Sequence, residues 1–252
     1  MKKYLLPAIG AFLSISSFAQ PQANISYNMA IPMKEMAENI NLTHSMVFDL
    51  RYKFNQTPLW LGTQFGIGTY AETTEKQTYT FDNGSTTEAD VRFSSDVMNL
   101  HMVFGVDLAS KGAVIPYVNI KGGYTKFFTS IYIPDPSDGG ECKALENKNL
   151  YKDGAWSTGA GAGMKILLSK LVKEKFGYNT WIDFSVGYLA GGELNYINSK
   201  KLMNDEPNPN AKPYNVTFVH LSTNELHQHK VAELFTSRIN QLDLRLGILF
   251  KL

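Results

Sequence analysis

The stretch Gln241-Leu242-Asp243-Leu244-Arg245-Leu246-Gly247-Ile248-Leu249-Phe250-Lys251-Leu252 puts leucine, isoleucine or phenylalanine at every even position. Gln241, Asp243, Arg245, Gly247 and Lys251 fill the odd ones, with Leu249 the one apolar residue among them. Only an extended strand, whose side chains point alternately to opposite faces, separates those two sets; a helix mixes them.

The same period recurs upstream. Ile25, Tyr27, Met29 and Ile31 alternate with Ser26, Asn28 and Ala30, and Met46, Phe48, Leu50, Tyr52 and Phe54 with Val47, Asp49, Arg51 and Lys53. Leu59, Leu61, Phe65 and Ile67 oppose Gly62, Gln64, Gly66 and Gly68; Met98, Leu100, Met102, Phe104, Val106 and Leu108 oppose Asn99, His101, Gly105 and Asp107. Val114, Val118, Ile120 and Tyr124 face away from Tyr117, Asn119, Lys121 and Gly123. Ala160, Ala162, Met164, Ile166 and Leu168 oppose Gly159, Gly161, Gly163 and Lys165, and Ile182, Phe184, Val186 and Tyr188 oppose Asp183, Ser185 and Gly187. The pattern predicts an all-β chain of eight antiparallel strands, an even number as bacterial transmembrane barrels have.

Connection lengths supply the topology. Short links are expected at 55–58, 109–113 and 171–178, and long ones at 33–41, 73–90, 134–154 and 198–235. Alternating short and long links make an up-and-down barrel with short periplasmic turns and long extracellular loops. Asn83-Gly84 between two β-rich runs predicts a hairpin that carries strands three and four beyond the membrane. In the last loop, Ser222-Thr223-Asn224-Glu225 has the form of a capping box for one or two helical turns. Residues 198–210 are expected to be dispensable for assembly, as loop residues on a rigid scaffold are.

The chain divides into an export signal over residues 1–19 and a single barrel domain over residues 20–252. Met1-Lys2-Lys3, the apolar run from Tyr4 to Leu13 and the small residues Ser17 and Ala19 have the basic, apolar, small order of a cleavable signal. The rest of the chain holds no apolar run of the roughly 20 residues that a membrane helix needs. Lone Cys142 excludes an internal disulfide scaffold. Lysine plus arginine (24) nearly balance aspartate plus glutamate (23) without a basic cluster, which argues against nucleic acid as a partner.

Alternation alone leaves a soluble barrel with an apolar lining as a rival. Against it, the polar face is rich in glycine and isolated charges, whereas a solvated exterior is filled with lysine, glutamate and threonine. Tyr52, Phe54, Tyr124, Trp156, Tyr188 and Phe250 also fall near strand ends on the apolar face, as interfacial girdles require.

Ile25-Ser26-Tyr27-Asn28-Met29-Ala30-Ile31-Pro32, the segment Pro116-Tyr117-Val118-Asn119-Ile120-Lys121-Gly122-Gly123-Tyr124 and the terminal Leu244-to-Leu252 run resemble the small eight-stranded outer-membrane β-barrel proteins, the group of OmpX and the OmpA membrane domain. The resemblance implies residence in the bacterial outer membrane, with lipid as the first partner. The peptidoglycan-binding role of OmpA does not carry over, and the usual terminal aromatic is displaced to Phe250.

An eight-stranded barrel is just wide enough for its own side chains. Asp49, Arg51, Lys53, His101, Asp107, Lys121, Lys165, Asp183, Asp243 and Arg245 form the expected lumen network. Lys165, Asp183, Arg245, Lys251, Arg51, Lys53, Asp107 and His101 are assigned to its periplasmic half, and Asp49 and Asp243 nearer its middle. Unpaired buried charges cost several kcal/mol each, so cross-strand pairs are expected, for example Lys165 with Asp183. The Gly159, Gly161 and Gly163 column is expected to admit bulky neighbours such as Tyr117 and Trp181, or else to mark a cavity.

No catalytic, cofactor or metal site is legible. His220, His227 and His229 lack further ligands. Cys142 lacks a basic activator and a histidine partner, and the glycine column lacks the strand-turn-helix setting of a nucleotide fingerprint. His44 beside Ser45 is the one nucleophile-base candidate at the outer rim, yet adjacent strand residues face opposite ways. The expected role is a monomeric structural and interaction protein whose loops meet an extracellular protein or surface ligand; an outer-leaflet lipid-modifying enzyme and a narrow channel are the alternatives.

Overall fold

The computed structural model describes residues 19–80, 86–134, 144–171, 180–201, 212–219 and 226–252. The strands are β1 (Ala19–Pro32), β2 (Thr43–Phe54), β3 (Leu59–Thr80), β4 (Thr86–Asp107), β5 (Val114–Pro134), β6 (Ala144–Leu167), β7 (Thr180–Ile197), β8 (Lys212–Val219) and β9 (Leu226–Lys251). Short helices α1 (Glu35–Asn39) and α2 (Leu168–Leu171) and a 3-10 turn (Ser199–Lys201) lie between them. Every sequential pair from β1 to β7 is antiparallel, β9 follows β7, and β9 pairs back onto β1, so eight strands close on themselves. β8 stands outside the ring, paired to the outer part of β9.

Closure fixes the dimensions. A line through paired residues starting at Ala23 passes Leu50, Thr63, Met102, Gly122, Thr158, Ala190 and Asn240. It returns at Met33, one residue past the end of β1 and ten residues beyond its origin. Eight strands with that stagger tilt about 40° and enclose a tube of radius about 8 Å.

The faces are those of a membrane protein. Phe48, Leu50, Phe65, Leu100, Met102, Ile120, Phe184, Leu246 and Ile248 point outward and are exposed, while Gln22, Asn24, Asp49, Arg51, Gln64, His101, Asp107, Lys165, Asp183 and Asp243 are buried inside. A soluble protein has the opposite order. On β5 the outward apolar run extends from Val114 to Tyr124, which at this tilt spans about 25 Å, the height of a membrane barrel's apolar band. Tyr27, Tyr124, Trp156 and Tyr188 ring its outer edge, and Tyr52 and Phe250 its inner edge.

Beyond the outer ring the wall divides. β1–β2 pairing stops at Ala30↔Thr43 and β6–β7 pairing at Ser157↔Gly191, whereas β3–β4 pairing continues to Thr80↔Thr86 and β5–β6 to Pro134↔Ala144. A four-stranded sheet, β3 to β6, therefore stands above the membrane opposite a ribbon of β7, β9 and β8. Of the expected 134–154 loop, residues 144–154 are strand, part of β6. In the last loop the capping-box residues 222–225 lie outside the described residues; β9 begins just after them, at Leu226, and pairs with β8. With a strand available to pair against, the inter-strand ladder satisfies the backbone groups that a short helix would leave open.

Candidate functional site

The interior has two layers of opposite chemistry. The deeper one is ionic, and its centre is Asp49. This carboxylate accepts from Arg51 Nη2 at 3.0 Å, Arg245 Nη2 at 2.7 Å, Gln64 Nε2 at 2.9 Å and Asn24 Nδ2 at 3.0 Å. Arg51 also reaches Asp183 at 2.9 Å, and Asp183 accepts from the Tyr117 hydroxyl at 2.6 Å and from Asn24 at 3.0 Å. Toward the periplasm, Asp107 takes Lys53 on one oxygen and Lys165 on the other, both at 2.6 Å. Toward the outside, Asp243 accepts from Lys121 at 2.7 Å and Gln241 at 2.8 Å. These pairings supply the compensation without which buried charges cost several kcal/mol each.

Lys165 does not pair with Asp183, although the two are register partners on β6 and β7. Its ammonium crosses to Asp107 on β4, passing 5.5 Å from the Tyr117 ring centre, and Asp183 is occupied by Arg51, Tyr117 and Asn24. His101 lies in the outer half, not the periplasmic half. Its Nε2 meets Ser157 Oγ at 2.8 Å, and Ser157 meets Thr125 at 2.7 Å, beside the outer girdle residue Trp156. That buried Ser–His pair is invisible to a search by sequence proximity, because β5 lies between the two strands that carry it. Arg245 reaches the middle of the lumen instead of its periplasmic half.

The glycine column does two things. A Cβ on Gly163 would lie 2.6 Å from the Tyr117 ring, so that glycine admits Tyr117. Gly161, with Gly187, Asn119, Lys121, Asp49 and Arg245, lines a cavity of about 20 Å³, room for about one water molecule. Trp181 is not part of the column; it packs with Ile115 and Leu249 at the periplasmic end.

The upper layer is apolar and closes the outer mouth. Tyr70, Val97, Phe127, Leu189, Tyr196, Phe235 and Ile239 converge there, and Met36 and Ile40 of the α1 segment complete the layer. The chain leaving β7 then crosses to the opposite wall. The Ile197 carbonyl accepts from Tyr70 Oη at 2.7 Å, Ser95 Oγ at 3.0 Å and Thr129 Oγ1 at 3.3 Å, on β3, β4 and β5. Ser199 N donates to Ser95 Oγ at 3.1 Å, and Asn198 Nδ2 donates to Asn39 O. Ile197, Asn198 and Ser199 are buried, so the first residues of the 198–210 stretch are packed into the cap, which argues against removing them with the rest. Above the membrane, burial holds the Tyr196 phenol above its ordinary pKa, opposed by its hydrogen bond with Ser237.

At the outer rim His44 faces lipid, where its Nδ1 hydrogen-bonds the Tyr27 hydroxyl and its ring stacks on Tyr27; Ser45 faces inward. They form no dyad. Among the described residues no three His, Cys, Asp or Glu side chains are grouped to hold a metal. Cys142 and His220 lie outside the described residues, as do the side chains of His227 and His229.

No protein-family model matches the sequence, and no curated protein matches it. Among solved structures the chain is similar to Neisserial surface protein A, at 9% identity and a TM-score of 0.38, over 93% of this chain and 97% of that one. It is similar to Ail of Yersinia pestis, at 12% and 0.32, over 92% and 97%, and to a major outer membrane protein of Thermus thermophilus, at 13% and 0.41, over 92% and 99%. Ring closure, a band of outward apolar side chains as tall as a bilayer core and a charge-filled interior make the chain a small eight-stranded β-barrel of the bacterial outer membrane.

Proposed function

We propose that the chain is a structural and interaction protein, in which a filled barrel holds an extracellular β-rich head for a partner outside the cell. The observation that carries this reading is the continuation of β3–β4, β5–β6 and β7–β9–β8 beyond the outer aromatic ring. Strands built past the bilayer give no anchoring, and binding residues concentrate on surfaces that a rigid scaffold presents. The projecting part of β3 pairs on one side only among the described residues, which leaves a strand edge of the kind that accepts an added strand. Residues 1–19 act in this reading as the export signal, so the processed chain begins at Gln20.

The test compares cells carrying the full protein with cells in which residues 73–90 and 202–225 are replaced by short turns. Both chains should assemble, as read from heat-modifiable gel mobility. Attachment to immobilised glycans and matrix proteins should be lost only with the trimmed head. Attachment that is unchanged by trimming refutes the interaction role, and steady single-channel conductance of the full protein in a planar bilayer favours the channel instead.

A further inference from the structure

The periplasmic end of the lumen has more hydrogen-bond donors and more positive charge than its own acceptors satisfy. Lys53 and Lys165 share the one carboxylate of Asp107, and Lys251, within electrostatic reach of Lys53 and Asp107, lies with its ammonium 4.7 Å from the centre of the Trp181 ring. Among the described residues Lys251 has no carboxylate of its own. Three ammonium groups thus face a single negative charge, and the nearby Asp183 is committed to Arg51, Tyr117 and Asn24.

The neutral donors point the same way. Gln22 is 2% exposed and stands directly opposite Arg51 on β2 and Lys251 on β9, so the three side chains lie abreast across the inner face. Gln22 Nε2 and Arg51 Nη1 are buried with no hydrogen-bond partner, and so is the indole Nε1 of Trp181 beneath Lys251. Leaving a buried donor unsatisfied is costly, and more so when it is charged, so this many in one place demand an acceptor. Lys53 lies two residues further along the same face, opposite Gln20, and keeps 17% of its side chain exposed, which opens the group toward the periplasm.

From this arrangement we infer that the periplasmic mouth is an oxyanion-binding site. An incoming phosphate or carboxylate is held by Lys251 and Lys53, with Gln22 Nε2 and the free Arg51 Nη1 as its inner donors. Charge-assisted hydrogen bonds of this type are the stronger ones, and arginine and lysine are the usual side chains for phosphate. The ligand is either a free periplasmic oxyanion or the phosphate of an inner-leaflet lipid headgroup. Its chemistry is the same in both cases.

The experiment is a titration of ¹⁵N-labelled protein, refolded in an uncharged maltoside detergent, in which the Trp181 indole N–H beside Lys251 is followed by NMR. Inorganic phosphate should give a saturable shift that chloride at equal ionic strength does not. Lys251→Met should weaken the apparent affinity at least tenfold, while Lys251→Arg should keep it. Gln22→Glu, close in shape but negative, should abolish it, and gives a second test should Lys251→Met not assemble. Parallel titration with phosphatidylglycerol bicelles separates the sources: saturation by bicelles alone names the headgroup, and saturation by phosphate names the free ion. Absence of saturation by either, or equal affinity in the assembled Lys251→Met and Gln22→Glu proteins, overturns the site. None of these readouts involves the extracellular head, so the two proposals fail separately.

Discussion

Replacing Asp107 with asparagine removes one charge and strands two. The carboxylate is wholly buried and accepts Lys53 and Lys165 at 2.6 Å each. Lys53 can swing toward the periplasm, since part of its side chain is already exposed; Lys165, 4% exposed, has no such path. Breaking a buried pair by deleting one partner costs about 3–5 kcal/mol, because the survivor stays desolvated. Asp107→Asn should therefore lower unfolding stability by roughly that amount, with Lys165 as its main source. Asp107→Asn combined with Lys165→Met should recover most of the loss, since exchanging a buried pair for neutral groups of similar volume is often neutral. The assay is equilibrium urea unfolding of the refolded barrel, with the slope checked for constancy so that midpoints compare directly. A single variant within about 1 kcal/mol of the parent, or a double variant no better than the single, refutes the charge accounting.

Further expectations concern packing, lipid and the cap. Gly105→Ala would set a Cβ 2.0 Å from the Trp60 ring and should cost about 1–3 kcal/mol by overpacking, whereas Gly122→Ala, whose Cβ would meet nothing nearer than Thr158 Cγ2 at 3.8 Å, should be nearly silent in the same unfolding assay. Ile120→Lys, near the middle of the lipid-facing run, should cost about 2–4 kcal/mol, read as a lower unfolding midpoint in lipid vesicles; an unchanged midpoint contradicts the assigned sidedness. Tyr70→Phe deletes one of three donors to the Ile197 carbonyl and should cost about 0.5–1.5 kcal/mol. Adding Ser95→Ala and Thr129→Val should make residues 197–201 the first to exchange amide hydrogens, and protection equal to the parent's shows that the segment is held by something else.

The period-2 pattern carried the fold because each strand of a membrane barrel has one face in lipid and one in the lumen, so nearly every residue of Leu242 to Leu252 declares its side. The same pattern could not reveal the cap. Ile197 ends β7, and Asn198 and Ser199 look like the start of a polar loop; all three are buried where donors on β3, β4 and β5, remote in sequence, meet the Ile197 carbonyl. From Leu226 onward the strand likewise depends on pairing with β8. Such pairing joins residues that lie apart in the sequence, and no local motif announces it.

The pairings within the lumen show why neighbour rules taken from flat sheets miss. On an open sheet, residues facing each other across adjacent strands interact, which joins Lys165 to Asp183. A tube of radius about 8 Å brings every inward side chain within reach of strands two and more places away. Lys165 on β6 then selects between Asp183 beside it and Asp107 across the curve, and the choice depends on competitors. Asp183 is already met by Arg51 from β2, Asn24 from β1 and the Tyr117 hydroxyl, whereas Asp107 has one oxygen free of Lys53. The curvature therefore turns pairwise contacts into a shared network of carboxylates, in which each cation's partner is set by the others. Removing Arg51 should free Asp183 and draw Lys165 back toward its register partner. In Arg51→Met, a crystal structure with Lys165 still on Asp107 alone would mean that local geometry, and not competition, assigns the pairs.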